Sequence, residues 1–320
     1  MKLSSCVSAL LLAALGIGGC TLEPSVDGIE FKPRAPYFSS PVTIDEQAWN
    51  GEPIRVDVER GNIEIVGQPN ATTISLRANT YTWAQTQEDA SNVRAATVAT
   101  AKLQRDADGT WRASCSIPKG DFESGLLEAT QCNLRIDVPA PDGVVHDIEA
   151  IAHYGDLYLN RLASGTRTKI VASGKEIDGM ALRGNVELHS HFADVEIEPM
   201  PGSTVFIGSD SDDWYYLPSL EEVEKRSERD GSARFGATVR IPRDFTSRFV
   251  SVSSVGAAVE AFDFPDLSSG GARGPVGPAS ASSVVVATNQ GNATLLPWGE
   301  KYVASRSGDF GTDARVVWND

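Results

Sequence analysis

The side chains that could do chemistry in this chain are few, and none forms a recognised catalytic arrangement. Among four histidines, His189 and His191 alternate along a predicted strand and could share a metal ion with Asp194. A His-x-His pair is a weak metal signal, because a closed site needs further ligands at fixed positions. We therefore predict surface histidines here, and a structural role for His153 in a polar turn.

A second candidate for ligand binding is the acidic stretch "GSDSDDW". Asp210, Asp212 and Asp213 could supply oxygen atoms to calcium. The calcium-loop pattern also needs a glycine and a distant glutamate at fixed offsets, and both are missing. The aromatic residues 214–216 that follow could stack on a sugar or a partner protein, but we expect them to be core residues. The sequence predicts no metal site and no cofactor.

Enzyme motifs are also missing. The chain has no Gly-x-Ser-x-Gly elbow and no phosphate-binding loop. With 43 acidic residues, some pairs of carboxylates must lie close together, so a polysaccharide-cleaving enzyme is the alternative to a binding protein. The basic residues that such a groove would use are scattered: Arg161, Arg167, Lys169 and Arg183. We therefore predict no catalytic residues and no enzyme.

The N-terminus indicates export. Lys2 precedes an apolar run from Val7 to Ile17, and Gly18 and Gly19 then lead into Cys20. The run is too short for a stable membrane-spanning helix and ends in small residues, which is typical of a cleaved signal peptide. We assign residues 1–19 to this signal.

The tail "IGGC" resembles the lipobox of bacterial lipoproteins. The resemblance implies that Cys20 becomes the N-terminus and carries acyl chains. Each buried methylene contributes about 0.8 kcal/mol, so two or more chains hold a protein at a membrane. Thr21 after the cysteine implies sorting to the outer membrane, with residues 20–44 as a lipidated tether. The alternative is an ordinary signal, with Cys20 present by chance.

Two further cysteines are left for the exported protein, where disulfides form. Cys115 and Cys132 lie in strand-like runs separated by a polar stretch that contains glycine. A disulfide between them would stabilise the fold by about 3 kcal/mol through loop-closure entropy. A zinc site would need a second pair of ligands at short spacing, and none is near. We predict a disulfide hairpin.

Length and charge limit the function classes. The chain has 320 residues and a formal net charge of −15, so it can form a sizeable core with an acidic surface. Such a surface argues against binding nucleic acid or anionic headgroups through the bulk of the molecule. No later apolar run reaches membrane-spanning length.

A repeat of about nineteen residues begins at Glu149 and suggests stacked coils. Two columns of small residues mark the rows: Gly155, Gly174 and Ala193, then Gly165, Gly184 and Ser203. Ile151 and Ile170 share another column, and Leu157 and Val195 a fourth.

Glycine followed by Asp or Asn, as in Gly155-Asp156 of the first row, occurs again in Gly61-Asn62, Gly291-Asn292 and Gly308-Asp309. We call each such position a corner. Glycine followed by Asp or Asn suits a turn, and the alternating apolar residues around it suit strands with one buried face. Two strands per row would build two stacked sheets, in which neighbouring coils bury each other. We therefore predict a mostly β, β-solenoid-like body over 141–320. The alternative is a partial β-propeller, because two rows approach the length of one blade.

Residues 45–140 predict a small α+β N-terminal cap. Strands turn at Gly61 and near Asn70, and a helix is expected from Gln87 to Leu103. Its start is indicated by Thr86 and Asp89, which have the spacing of a capping box. A hairpin at "DADG" and the disulfide hairpin follow. The cap would cover edge strands of the body that would otherwise aggregate.

The order of these features resembles a bacterial family of unknown function called "putative adhesins", over about residues 50–320. The resemblance rests on "GNIEI", "GDLYL" and a C-terminal "SGDF". It implies a β-solenoid-like body and a cell-envelope location. The altered corners Gly174-Lys175 and Ala193-Asp194 depart from its pattern.

We therefore expect a non-enzymatic, lipid-anchored outer-membrane protein, an adhesin or scaffold. Its expected partners are the membrane, through the N-terminal lipid, and a cell-surface polysaccharide or protein. Nucleic acid is not an expected partner. The alternatives are a polysaccharide-active enzyme and a periplasmic sensing or binding accessory.

Overall fold

The computed structural model describes most of the chain up to residue 209 and separate strands beyond it. The described ranges are 20–25, 28–118, 126–127, 129–190, 195–200, 203–209, 237–241, 247–255, 259–261, 272–276, 283–289 and 293–297. The predicted signal peptide, 1–19, and residues 218–231 lie outside these ranges.

Nearly all regular structure is β. The strands up to the helix are β1 (Cys20–Ser25), β2 (Gly28–Pro33), β3 (Ala35–Phe38), β4 (Val42–Ala48), β5 (Ile54–Arg60), β6 (Ile63–Gln68) and β7 (Thr73–Ala84). The helix α1 spans Gln87–Val98. After it come β8 (Lys102–Arg105), β9 (Trp111–Cys115), β10 (Thr130–Pro139), β11 (Ile148–Tyr154), β12 (Leu157–Asn160), β13 (Ile170–Gly174), β14 (Ile177–Leu182), β15 (Asn185–Ser190), β16 (Val195–Pro199) and β17 (Thr204–Ser209). The last strands are β18 (Ala237–Ile241), β19 (Ser247–Val255), β20 (Val259–Ala261), β21 (Ala272–Val276), β22 (Ser283–Asn289) and β23 (Ala293–Pro297). The prediction of a mostly β molecule is confirmed.

The strands form two large sheets. The first sheet has eleven strands, in the order β20-β23-β18-β16-β14-β12-β6-β10-β7-β3, with β4 also paired to β7. The second sheet has ten strands, in the order β21-β19-β22-β17-β15-β13-β11-β5-β9-β8. From β11 to β20, successive strands along the chain fall alternately in the second and the first sheet.

Strands of this alternating region pair in parallel, with apolar residues in register. In the first sheet Leu157 pairs with Ile177, and Ile177 pairs with Val195. Each of these three side chains is fully buried. Leu157 and Val195 therefore lie two strands apart in one ladder. The partial propeller does not match this topology, since a propeller blade is built of antiparallel strands.

The regular nineteen-residue rows are wrong in detail, because the corners differ in length. Ile151 pairs with Ser173 rather than with Ile170. A Cβ on Gly184 would lie 2.1 Å from the Ser164 carbonyl oxygen, so Ser164, not Gly165, is stacked on Gly184. Nineteen residues is therefore only an average repeat length, and the connections between strands vary in length around it.

The sheets continue through the region predicted as a cap. β5 pairs in parallel with β11 on one side and with β9 on the other, and β6 pairs in parallel with β12 and β10. Antiparallel strands finish this end: β7 on β10, β3 and β4 on β7, and β8 on β9. The predicted hairpin at "DADG" is present as β8–β9. The prediction that the two cysteine-containing strands form a hairpin is wrong, because β9 and β10 belong to different sheets.

The helix begins where predicted and ends early. Thr86 accepts a hydrogen bond from the Asp89 backbone N–H at 3.1 Å, which satisfies one of the free donors of the first turn. The helix stops at Val98 instead of Leu103, because Lys102–Arg105 forms β8 against β9. Ala90 and Val93 of the helix are buried in a small apolar cluster with Ala84.

The region predicted as a tether, 20–44, contains strands. β1 and β2 form a separate antiparallel hairpin, and β3 joins the first sheet. Ordered structure in the first sheet therefore starts at Ala35, ahead of the predicted cap boundary at residue 45.

Candidate functional site

The disulfide prediction is confirmed. Cys115 and Cys132 are bonded, with their Cα atoms 6.2 Å apart. Cys115 ends β9 of the second sheet and Cys132 lies in β10 of the first, so the bond joins the two sheets. Both residues are buried in the core. Its role is structural.

Cys20, the predicted lipidation site, is the first residue of β1. In the β1–β2 hairpin it pairs with Pro33, the last residue of β2. β3 begins two residues later, at Ala35. The predicted attachment point therefore lies beside the position where the chain enters the first sheet.

His146 is buried where the chain passes from β10 to β11. Its Nε2 atom lies 2.9 Å from the Pro139 carbonyl oxygen, and its Nδ1 accepts from the Ala163 N–H at 3.2 Å. Its ring stacks on Trp49 with centroids 5.5 Å apart. Burial lowers the pKa of His146, against the opposing effect of its backbone hydrogen bonds. The two ring nitrogens therefore contact the backbone on both sides of this corner, at Pro139 and at Ala163.

The predicted surface position of His189 is wrong, since the residue is only 7% exposed. It packs against Phe206, with ring centroids 5.6 Å apart, and its Nε2 lies 3.1 Å from Glu187 Oε1. The His189 hydrogen bond, helped by Lys169 and opposed by burial, lowers the pKa of Glu187. Lys169 Nζ lies 3.1 Å from Glu187 Oε2, so this carboxylate is held from both sides.

His153 lies at the end of β11, with its Nε2 3.3 Å from Asp57 Oδ1 on the neighbouring strand. The other predicted ligands of a histidine metal site, His191 and Asp194, lie outside the described residues, as do Asp210, Asp212, Asp213 and the aromatic residues 214–216. Within the described part of the chain, no group of three His, Cys, Asp or Glu side chains could hold a metal.

A charged network covers the outer face of the first sheet near its N-terminal end. Asp137 accepts hydrogen bonds from Arg77 at 2.9 Å, from Gln68 at 2.9 Å and from Arg135 at 3.2 Å. Arg135 also lies 3.6 Å from Glu64. Because each buried charge faces an opposite one, the network stabilises neighbouring strands.

Amide side chains connect the strands at one corner. The Asn133 side chain donates to Asn79 Oδ1 at 3.0 Å and accepts from the Asn62 backbone N–H at 2.8 Å. Asn62 Oδ1 accepts in turn from the Asp156 N–H at 3.1 Å. The turns at Gly61-Asn62 and Gly155-Asp156 are thus hydrogen-bonded directly to each other.

An aromatic patch, defined as Pro36, Phe38, Tyr81 and Trp83, lies on the outer face of the first sheet at the same end. Phe38 pairs with Tyr81 and Pro36 with Trp83 across β3 and β7. The Phe38 and Tyr81 rings are 4.7 Å apart, and those of Tyr81 and Trp83 are 6.1 Å apart and edge to face. Phe38 remains 49% exposed. Burial raises the pKa of the Tyr81 hydroxyl, which therefore stays protonated.

The sequence analysis missed this patch. The alternation in "TYTW", residues 80–83, would have placed Tyr81 and Trp83 on one face of a strand. Phe38 joins them only through the register of β3 on β7, which no local pattern predicts.

None of the helices in the described ranges is long and apolar enough to cross a bilayer.

Comparison with known proteins shows only distant structural similarity. No protein-family model matches the chain, and no curated protein matches it. The chain is similar to the crystal structure of a putative cell adhesion protein from Clostridium sporogenes, with 11% identity over 82% of this chain and all of that one, at a TM-score of 0.41. It is also similar to a putative adhesin from Bacteroides fragilis, with 12% identity over 86% of this chain and all of that one, at a TM-score of 0.32. Similarity at this level carries no property over to this chain.

Proposed function

We propose that this protein is a non-enzymatic, lipid-anchored protein of the cell envelope, an adhesin or scaffold of the "putative adhesin" kind. Its body is a β-solenoid of two-stranded coils, which presents the outer faces of both sheets to a partner. The supporting observation is the parallel ladder from Leu157 through Ile177 to Val195, with each coil buried against the next. Such stacks are stiff and offer extended surfaces for binding.

The anchor is the acylated Cys20, and the outer membrane is the proposed location. The partner class is a cell-surface polysaccharide or a protein.

The anchor is tested by expressing the full chain in a bacterial host fed with an alkyne-labelled fatty acid. We expect label on the wild-type protein and in the membrane fraction. The Cys20→Ser variant should be unlabelled and released into the soluble fraction. Cys6→Ser is the matched control and should keep the label, because Cys6 lies within the predicted signal. An unlabelled wild-type protein would rule out lipid anchoring.

The binding role is tested with the purified protein and a panel of envelope polysaccharides. We expect retention of the intact polysaccharide and no shorter products. Cleavage that is reproducible, and that one carboxylate substitution abolishes, would replace the proposal with the enzyme alternative. Protease treatment of intact cells separates an outward-facing adhesin, which is degraded, from a periplasmic accessory, which survives.

A further inference from the structure

We infer that the N-terminal end of the stack docks on the lipid bilayer through the aromatic patch of Pro36, Phe38, Tyr81 and Trp83. This inference rests on the lipid anchoring proposed above. It adds an orientation: the end formed by β3, β7 and α1 faces the membrane, and the coils extend away from it.

The first step is the position of the anchor. As an extended chain, the segment 20–33 could hold the body roughly 45 Å from the membrane. The hairpin removes this reach, because Cys20 pairs with Pro33 and paired Cα atoms lie about 5 Å apart. The acyl chains on Cys20 would therefore enter the bilayer next to Arg34 and the start of β3.

The second step is the chemistry of the surface at that point. Trp and Tyr side chains concentrate where membrane meets water, since their rings are apolar and their N–H and O–H groups remain polar. Here the partly exposed Trp83 lies on the outer face of β7, and Phe38 is half exposed. The Tyr81 ring between them is buried and packs against both.

The third step is charge. The chain carries a formal net charge of −15, which would repel an anionic membrane. The residues beside Tyr81 and Trp83 on the next strand are uncharged. Tyr81 pairs with Gln131, and the backbone N–H of Trp83 donates to the backbone carbonyl of Ala129. Arg94 of α1 donates a hydrogen bond to the Phe38 carbonyl oxygen, so a cation lies beside the patch. This end thus combines aromatic rings with a neighbouring cation, a combination that suits lipid headgroups.

The test uses the mature lipidated protein in vesicles of phosphatidylethanolamine and phosphatidylglycerol, with and without lipids brominated on the acyl chain near the headgroup. Bromine quenches tryptophan emission at short range. We expect quenching of the wild type and loss of most of that quenching in Trp83→Phe. The matched control is Trp111→Phe, which changes a tryptophan buried between the sheets and should retain the quenching. Equal quenching in the wild type and Trp83→Phe would overturn the inference.

A second probe avoids dependence on tryptophan. A polarity-sensitive dye on Phe38→Cys should shift to the blue on vesicle binding, whereas the same dye on Tyr154→Cys should not. Tyr154 is 60% exposed and belongs to β11, away from the aromatic patch. Blue shifts at both positions, or at neither, would contradict the proposed orientation.

Failure of this inference is distinguishable from failure of the anchor. The mass of the reconstituted protein shows whether Cys20 carries lipid. If it does and Trp83 is not quenched, the docking is wrong and the anchoring stands. If it does not, Cys20 coupled to a maleimide lipid allows the same quenching measurement. A polysaccharide that changes Trp83 emission, with no quenching by vesicles, would identify the patch as a sugar platform and overturn membrane docking.

Discussion

At the residue scale, Gly61 explains why the corners between strands need particular amino acids. Gly61 follows β5 and has a φ of +134°, which side chains rarely adopt. A Cβ placed on it would lie 1.9 Å from the Cys132 carbonyl oxygen, and a Cβ on Gly155 would lie 1.9 Å from the Gly61 carbonyl oxygen. The backbones of three neighbouring strands therefore touch at this corner.

We expect Gly61→Ala to lower the free energy of unfolding by about 3 kcal/mol or more, because backbone strain and a backbone clash add together. The matched control is Gly51→Ala, with a φ of +91° and no atom within 4 Å of the added Cβ. It should cost only about 1–2 kcal/mol. Urea unfolding measures both variants, and equal losses would show that the clash is relieved at little cost.

A second residue-scale prediction concerns pH. Burial lowers the pKa of His146 below its usual 6.5, so the unfolded chain binds a proton more readily than the folded protein. The stabilisation is complete above about pH 6.5 and decreases as the pH falls below it. We expect the free energy of unfolding to fall between pH 7 and pH 5.5 in the wild type.

The variant His146→Gln should be less stable at pH 8, because it loses the stacking on Trp49. Its stability should vary less with pH over the same interval, since Gln does not titrate. Urea unfolding at several pH values measures both effects. An unchanged slope in the variant would assign the pH dependence to other groups.

At the element scale, the disulfide ties together two strands that do not pair with each other. It joins β9 to β10 across a sequence separation of 17 residues. The replacement Cys115→Ala with Cys132→Ala should lower the free energy of unfolding by about 3 kcal/mol, mainly by freeing the unfolded chain. A reductant should destabilise the wild type to a similar extent and leave the double variant unchanged. A reductant effect on the double variant would point to a different cause.

The bounds of an element were predicted well where they depend on local residues, and poorly where they depend on pairing with a neighbouring strand. Thr86 and Asp89 marked the start of α1, because capping is an interaction within one turn. The end was missed, since Leu103 pairs with Ala113 across the β8–β9 hairpin and this pairing overrides helix propensity. Alternation placed His189 and His191 on one side of a predicted strand, but the burial of His189 depends on tertiary packing.

At the scale of the whole molecule, each strand of a parallel ladder covers the edge of its neighbour. Ending the chain after Ser209 would remove β18 and β22, which cover β16 and β17. The exposed backbone groups should then pair between molecules, because open edge strands associate. We expect light scattering to show a mass well above that of the full chain.

The matched control is the same shortened chain carrying Phe206→Lys, which puts a charge on the exposed strand β17. Its association should be weaker, because charged edge strands resist pairing. A measured mass equal to that of one shortened chain would show that β18 and β22 do not protect β16 and β17 from association.

The molecular architecture could be predicted only to the level of repeating strands and corners. The alternating apolar residues and Gly-Asp corners indicated two strands per row, and the ladder of Leu157, Ile177 and Val195 agrees with this. The stacking of β9 and β10 outside β5 and β6 was not predictable, because it reverses the order of the chain. The position of Cys20 beside Pro33 likewise depends on the pairing of β1 with β2, which the prediction of a tether over 20–44 missed.

The corners vary in length without disturbing the ladders beside them. Nine residues, 161–169, connect β12 to β13, whereas only 183–184 connect β14 to β15, yet β13 and β15 remain in register from Ile170 and Val186 onward. A foreign peptide inserted near Thr166, in the longer of these two connections, should therefore be displayed on the side of the molecule without shifting any strand. This makes the protein a candidate carrier for epitopes or affinity tags.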